Sequence, residues 1–222
     1  MPKPSAFHRL LIAVSTAWLL SVASAKADFE ISIGSGTIDP GGNLLLEIGI
    51  SSDAPPQNLA EFELILEITP LSAAPGSSLV FVDPQSETFL ADADYIFAGT
   101  SESIADDLPS TQSNSGSRIT LYDLSIDSLG DPLDVSVTSG NLLATVDIGH
   151  LLGGAMPAAT AGDQYEVGGA VESFFTDESL ADLNFTFTPG VVTVGAVAIP
   201  EPAATTMLML ASCGLVLQRR RR

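Results

Sequence analysis

Residues 61–68 read Glu-Phe-Glu-Leu-Ile-Leu-Glu-Ile, and the fold is decided there. Phe62, Leu64, Leu66 and Ile68 alternate with Glu61, Glu63, Ile65 and Glu67. Successive side chains of a strand point to opposite faces, so this period of two predicts a strand with one apolar face and one mostly acidic face. Working outward, Phe29–Ile33 and Leu44–Ile50 are strand candidates upstream, separated by the turn Asp39-Pro40-Gly41-Gly42. Downstream come Leu79–Val82, Tyr95–Ala98, Arg118–Ile126, Val135–Thr138, Leu142–Ile148, Tyr165–Phe175, Phe185–Phe187 and Val191–Val197. Turn residues punctuate the gaps: Pro75-Gly76, Asp83-Pro84, Ser115-Gly116, Gly130-Asp131-Pro132, Gly153-Gly154 and Pro189-Gly190. About ten short strands with regular turn signals predict an all-β antiparallel two-sheet sandwich of jelly-roll or Greek-key type. Ala91–Tyr95 and Ser179–Leu183 are candidates for a single turn of helix, and Ser101–Ser117, poor in apolar residues, reads as an exposed loop.

The ends differ from this body. Residues 1–27 have the layout of a secretory signal peptide: Lys3 and Arg9, an apolar stretch Leu10–Ala23, then the small-x-small sites Ala23-Ser24-Ala25 and Ala25-Lys26-Ala27, with cleavage placed after Ala27. At the other end stand Pro200-Glu201-Pro202, the uncharged run Ala203–Leu217, Gln218 and then Arg219, Arg220, Arg221 and Arg222. The prolines hold Glu201 on an extended segment. The arginines resist translocation and act as a cytoplasmic stop. Fifteen apolar residues at about 1.5 Å each give a helix of roughly 22 Å, short against a hydrocarbon core of about 30 Å. A weak, removable span suits a sorting intermediate; a permanent anchor is the competing reading.

The ordered triplet of Pro-Glu-Pro, apolar run and terminal arginines resembles the PEP-CTERM sorting signal of exported bacterial proteins. That resemblance implies handling by exosortase, a membrane-embedded cysteine transpeptidase, with Pro200, Glu201 and Pro202 as the recognition core. Ala203-Ala204 stand where the family often has Ser or Thr.

Residues 28–199 remain as one body, of a size that supports a single core. The whole chain has a formal net charge of −19, and every acidic residue except Glu201 lies in this body, against Arg118 as its one basic residue. Such a surface repels nucleic acid and anionic membranes, and its self-repulsion is relieved by salt. An acid-rich surface suited to a saline habitat is the plain explanation; calcium binding is the sharper one. For calcium, Asp123, Asp127, Asp131 and Asp134 fall on or beside one strand and its turn, and Asp92, Asp94, Asp106 and Asp107 form a second group. Neither has the twelve-residue spacing of a calcium loop, so a solvated acidic rim is the reading preferred for both.

Catalytic signals are weak. Cys213 lies in the tail, so the body has no thiol chemistry, and His150 is its one histidine, read as a solvated loop residue. Paired carboxylates suited to glycoside hydrolysis abound, but with so many acids a pair arises by chance. No nucleophile elbow, phosphate loop or zinc-protease run occurs. Sugar-stacking aromatics are limited to Phe89, Tyr95, Tyr122, Tyr165, Phe174 and Phe175. Arg118 is expected to pair with Asp123 or another acid.

A second resemblance covers most of residues 29–197. Gly34-Ser35-Gly36, the Pro40-Gly41-Gly42 turn, strand Leu44–Ile50, the segment Leu59-Ala60-Glu61-Phe62-Glu63-Leu64, then Ser139-Gly140-Asn141-Leu142-Leu143-Ala144-Thr145-Val146-Asp147-Ile148 and Ala161-Gly162-Asp163-Gln164-Tyr165-Glu166-Val167 are similar to the cohesin-type sandwich. This implies a cohesin-like fold and an extracellular binding habit; no dockerin-contacting residues carry over. The expectation is a non-enzymatic exported protein of the cell surface or extracellular matrix, with an exosortase as processing partner and extracellular polysaccharide or another surface protein as ligand. A carbohydrate-binding or glycan-hydrolysing module, and a permanently anchored surface protein, are the alternatives.

Overall fold

A computed structural model describes residues 29–52, 56–106 and 111–196. The signal sites Ala25 and Ala27, the motif Pro200-Glu201-Pro202 and Arg219–Arg222 lie outside the described residues, as does Asp107.

The strands are β1 (Phe29–Ile33), β2 (Gly36–Ile38), β3 (Asn43–Ser52), β4 (Asn58–Leu59), β5 (Glu61–Ser72), β6 (Ser78–Phe81), β7 (Thr111–Ser115), β8 (Arg118–Leu124), β9 (Val135–Ser136), β10 (Asn141–Leu151), β11 (Gln164–Gly169), β12 (Phe174–Thr176), β13 (Phe185–Thr188) and β14 (Gly190–Val194). One sheet has the order β13-β1-β3-β10-β6; the other runs β2-β14-β11-β5-β8-β7, with β12 also pairing β5. β4 and β9 form a small separate ladder. The all-β sandwich is therefore present, and its inner pairings are antiparallel. Two outer pairs, β1 with β13 and β2 with β14, are parallel.

Those parallel pairs share one cause. β1 passes into β2 through Gly34-Ser35, and β13 passes into β14 through Pro189, so both segments leave one sheet and join the other side by side. The two crossings touch: a Cβ on Gly190 would lie 1.9 Å from the Gly34 carbonyl oxygen. Glycine is used here for close backbone approach.

β5 follows its alternation. Phe62, Leu64, Leu66 and Ile68 are buried between the sheets, and Glu61, Glu63 and Glu67 face outward. Ile65 points outward yet is buried, and its backbone is paired with the segment between β11 and β12: Ala170 N–H donates to the Ile65 carbonyl, and Ile65 N–H donates to Ser173 Oγ. Facing strands supply Ile31, Ile48, Ile50, Val146 and Ile148 to the same core, closed at one end by Phe29, Phe62, Phe97 and Phe175. Phe62 stacks on Phe97 and Phe175 at centroid distances of 5.8 and 6.3 Å. Each such fully buried side chain contributes about 1.5–3 kcal/mol relative to exposure.

The structure departs from the sequence pattern at several segments. Tyr95–Ala98 is a run of turns in which Tyr95 alone bridges to Leu142. Tyr165–Phe175 is two strands, β11 and β12, separated by the irregular segment just described. The loop expected over Ser101–Ser117 contains a helical turn, α1 (Glu102–Ala105), and strand β7, and its Ser101 and Ser103 are buried. The helical turn expected at Ala91–Tyr95 occurs earlier, as a 3-10 turn at Thr88–Ala91. Ser179–Leu183 is not helical; Leu180 has a φ of 61°, outside the right-handed region.

Candidate functional site

Of the four aspartates considered for calcium, the fold buries Asp123 apart from the other three, which stand in exposed turns. Asp123 is fully buried on the inner face of β8. Its Oδ2 accepts from Tyr95 Oη and Ser101 Oγ, each at 2.5 Å, and its Oδ1 accepts from the N–H groups of Ser103 and Leu124. Ser101 also caps α1, accepting from Ile104 N–H. This carboxylate stitches two loop segments to a strand, and burial followed by the Asp123 charge pushes the Tyr95 phenol well up. Asp127 folds its own turn, accepting from the N–H groups of Leu129 and Asp131. Asp134 ties loops together, accepting from Asn58 Nδ2 and Glu178 N–H. Both oxygens of Asp123 and of Asp134, and one of Asp127, are engaged in holding backbone or side chains. Among the described residues no group of three or more His, Cys, Asp or Glu side chains is arranged to hold a metal ion.

The second acidic group also divides. Asp92 and Asp94 lie at a groove on the outer face of β1, β3 and β10, whereas Asp106 caps the far end of α1. The groove encloses about 440 Å³ and is lined by Ser32, Gly34, Glu47, Gly49, Gly140 and Asn141 as well as the two aspartates. Gly49 makes the hollow: a Cβ there would meet Ser32 Oγ at 2.9 Å. The lining has no aromatic ring and no cation.

His150 is not a solvated loop residue. It pairs with Leu79 of β6 one residue before the end of β10, is 3 % exposed and joins both sheets. Its Nδ1 accepts from Gly41 N–H at 3.0 Å, and its Nε2 lies 2.9 Å from Ser77 Oγ, which lies 2.6 Å from Tyr165 Oη. Asp163 stands close enough to influence both rings; its Oδ1 accepts from Ala74 N–H, and its buried Oδ2 has no partner among the described residues. Serine, histidine and aspartate in one place suggest nucleophilic catalysis, but the wiring is reversed. A general base must offer Nε2 as an acceptor, with the proton held on Nδ1. Here the Gly41 N–H claims Nδ1 as acceptor, so neutral His150 carries its proton on Nε2 and donates to Ser77. Burial keeps the imidazole below its ordinary pKa, opposed in part by Asp163. The chain is an inter-sheet tie.

Arg118 pairs with Glu67 at 2.5 Å and with Glu172 at 3.6 Å. The expected partner Asp123 is excluded by parity: five residues along a strand place the two side chains on opposite faces. Arg118, Thr120 and Tyr122 make the outward row of β8, opposite Glu67, Ile65 and Glu63 of β5. Burial, then Glu61 and Glu102, push the Tyr122 phenol up to about 12. Glu102 is raised by burial and by Asp106, Asp123 and Glu61. This outer face is a crowded acidic surface, and one arginine answers it.

Of the aromatics considered for sugar stacking, Phe89, Tyr95, Tyr165 and Phe175 are buried in the core; Tyr122 and Phe174 are half-buried. Their burial follows from strand parity and from the enclosed turns of 88–98, neither of which is visible residue by residue.

No family model matches the chain, and no curated protein matches it. Among solved structures it is similar to cohesin modules. The third ScaB cohesin of R. flavefaciens, in complex with a group 1 dockerin, aligns at 17% identity and TM-score 0.49, covering 77% of this chain and 97% of that one. The sixth cohesin of Acetivibrio cellulolyticus scaffoldin B aligns at 15% and 0.45, covering 75% and 98%. A non-cellulosomal cohesin of the archaeon Archaeoglobus fulgidus aligns at 13% and 0.42, covering 78% and 94%.

Proposed function

We propose that this is an exported, non-catalytic binding or structural module of the cell surface or extracellular matrix, sorted through its tail by an exosortase-type transpeptidase. The observation that carries the reading is the path of the chain. Phe29, just after the signal-like segment, pairs with Ser52 at one end of the sandwich. Val194, which leads to Pro200, pairs with Ile38 and accepts from Gly162 N–H at the other end. A module whose termini leave opposite ends holds its bulk away from whatever its tail is inserted in. Buried aromatics and a histidine of the wrong tautomer turn the body away from sugar stacking and from acyl-transfer chemistry, and favour a protein or a matrix contact.

The test is the intact mass of the protein from fractionated cells, wild type against Glu201→Ala. The reading expects extracellular wild type cut at both ends, near Ala27 and near Pro200-Glu201-Pro202, and Glu201→Ala retained in the membrane with its tail. Extracellular protein still ending in Arg222 would sink the sorting reading and favour the permanent anchor.

A further inference from the structure

The acidity of the body is not spread evenly along its long axis. At the end where β1 begins stand Asp127, Asp131, Asp134, Asp177, Glu178 and Asp182, in turns that hydrogen-bond one another: Asp134 accepts from Glu178 N–H, and Asp177 accepts from Ser179 and Ala181 N–H. At the opposite end two long connections cross from sheet to sheet. One runs from Pro70 to Ser78 and reads Pro-Leu-Ser-Ala-Ala-Pro-Gly-Ser-Ser. The other runs from Leu151 to Gly162 and reads Leu-Leu-Gly-Gly-Ala-Met-Pro-Ala-Ala-Thr-Ala-Gly. Neither contains a charged residue, in a body otherwise dense with carboxylates. They meet, since a Cβ on Gly153 would lie 2.3 Å from the Gly76 carbonyl oxygen. Asp163, beside them, is buried, and Asp39 is the exposed carboxylate at the margin of this end.

The neutral end is also apolar. Leu71, Leu151 and Met156 are 53 %, 50 % and 71 % exposed there, beside exposed Pro70, Pro75, Pro157, Ala158 and Ala159. Leu129 and Leu180 are equally exposed but stand singly among the carboxylates of the far end. Scattered apolar residues need no explanation, whereas a charge-free apolar end does.

The described chain leaves the body at this same end, where Val194 N–H donates to the Asp163 carbonyl and Gly195 N–H to that of Ile38. Residues 197–202 then separate it from the apolar run Ala203–Leu217; at about 3.5 Å each they reach no further than about 20 Å. We infer that, while the tail is inserted, the neutral end formed by residues 70–78 and 151–162 seats on the lipid bilayer. Leu71, Leu151 and Met156 enter the headgroup region, and the acidic end points away from the membrane. An anionic bilayer repels carboxylates, so a body this acidic approaches lipid only through a face that has none. The inference rests on the tail being membrane-inserted.

The test uses the full chain in a Cys213→Ser background, reconstituted in vesicles of phosphatidylethanolamine with phosphatidylglycerol. Met156→Cys or Leu129→Cys carries an environment-sensitive dye, quenched by spin-labelled lipid with its label near the headgroup. Seating predicts quenching at 156 at least about twofold stronger than at 129. It also predicts that adding Leu71→Glu and Leu151→Glu, both on exposed positions, brings 156 down to the level of 129 while the melting temperature is kept. Protein that floats with the vesicles but shows equal, weak quenching at both positions overturns the seating and leaves the tail reading standing. Protein that does not float overturns both. A dye at 156 that is shielded in cell membranes by crosslinking to a protein, without lipid quenching, replaces the bilayer with a protein partner and overturns the lipid assignment.

Discussion

Asp123 shows what a single residue can do in a chain crowded with acids. Its carboxylate is dry, and four donors from the 95–103 segment and β8 converge on it. Replacing a buried carboxylate that accepts from four neutral donors leaves at least one donor unsatisfied, which costs about 1–3 kcal/mol. Asp123→Asn is therefore expected to lose that much in urea unfolding, with 88–106 loosened first in hydrogen exchange. Asp131→Asn, at an exposed turn, should stay within about 0.5 kcal/mol of wild type. If the two variants melt together, Asp123 is not the tie described. His150 gives a pH signature. Its pKa is lowered in the fold, burial being the main cause, so the unfolded chain binds the proton more readily. Its contribution is fully present above the ordinary histidine pKa of about 6.5 and is lost as pH falls through the lower folded value. Protonation also forfeits the Gly41 N–H bond to Nδ1. His150→Gln should flatten the dependence of unfolding free energy on pH below about 6.5; an unchanged slope would assign it to other groups.

At the scale of the element, the paired crossings β1–β2 and β13–β14 are the tightest joint in the sandwich. Gly190→Ala drives a methyl group into the Gly34 carbonyl, backbone against backbone, and neither strand can yield without unpairing from its sheet. The expected loss is at the upper end of the 1–3 kcal/mol typical of overpacking, or about that figure exceeded. Gly49→Ala meets the rotatable Ser32 Oγ at 2.9 Å instead and should cost under about 1 kcal/mol, while narrowing the groove. Thermal melts of the two side by side measure the contrast. Strand β5 is legible because its inward positions, Phe62, Leu64, Leu66 and Ile68, are apolar without a gap. β7, reading Thr-Gln-Ser-Asn-Ser, is not, because an edge strand is held by backbone bonds to β8 and needs no apolar side chains. Within the 88–98 turns, Tyr95, Ile96 and Phe97 imitate a buried strand, because they are apolar in succession and all buried.

For the whole molecule, mutual repulsion of the carboxylates sets the response to ions. Sodium chloride should raise the melting temperature progressively as the screening length falls to about 10 Å at 0.1 M. Calcium at matched ionic strength should add little, since Asp123 and Asp134 already spend their oxygens on the fold and the described carboxylates converge on no metal site; a large extra rise from calcium alone would contradict that account. By itself the sequence determined the sandwich class and the strand-rich acidic body, because these depend on local periodicity and composition, which are written residue by residue. The tertiary structure alone decided that Asp123 is a core ligand for hydroxyls and not a surface acid, and that His150 ties two sheets through the wrong tautomer for catalysis. It also decided that two neutral loops far apart in the chain form one apolar end beside the exit to the tail. Each of these depends on contacts across tens of residues, and no local pattern encodes which side of a strand, or which end of a sandwich, a distant segment will meet.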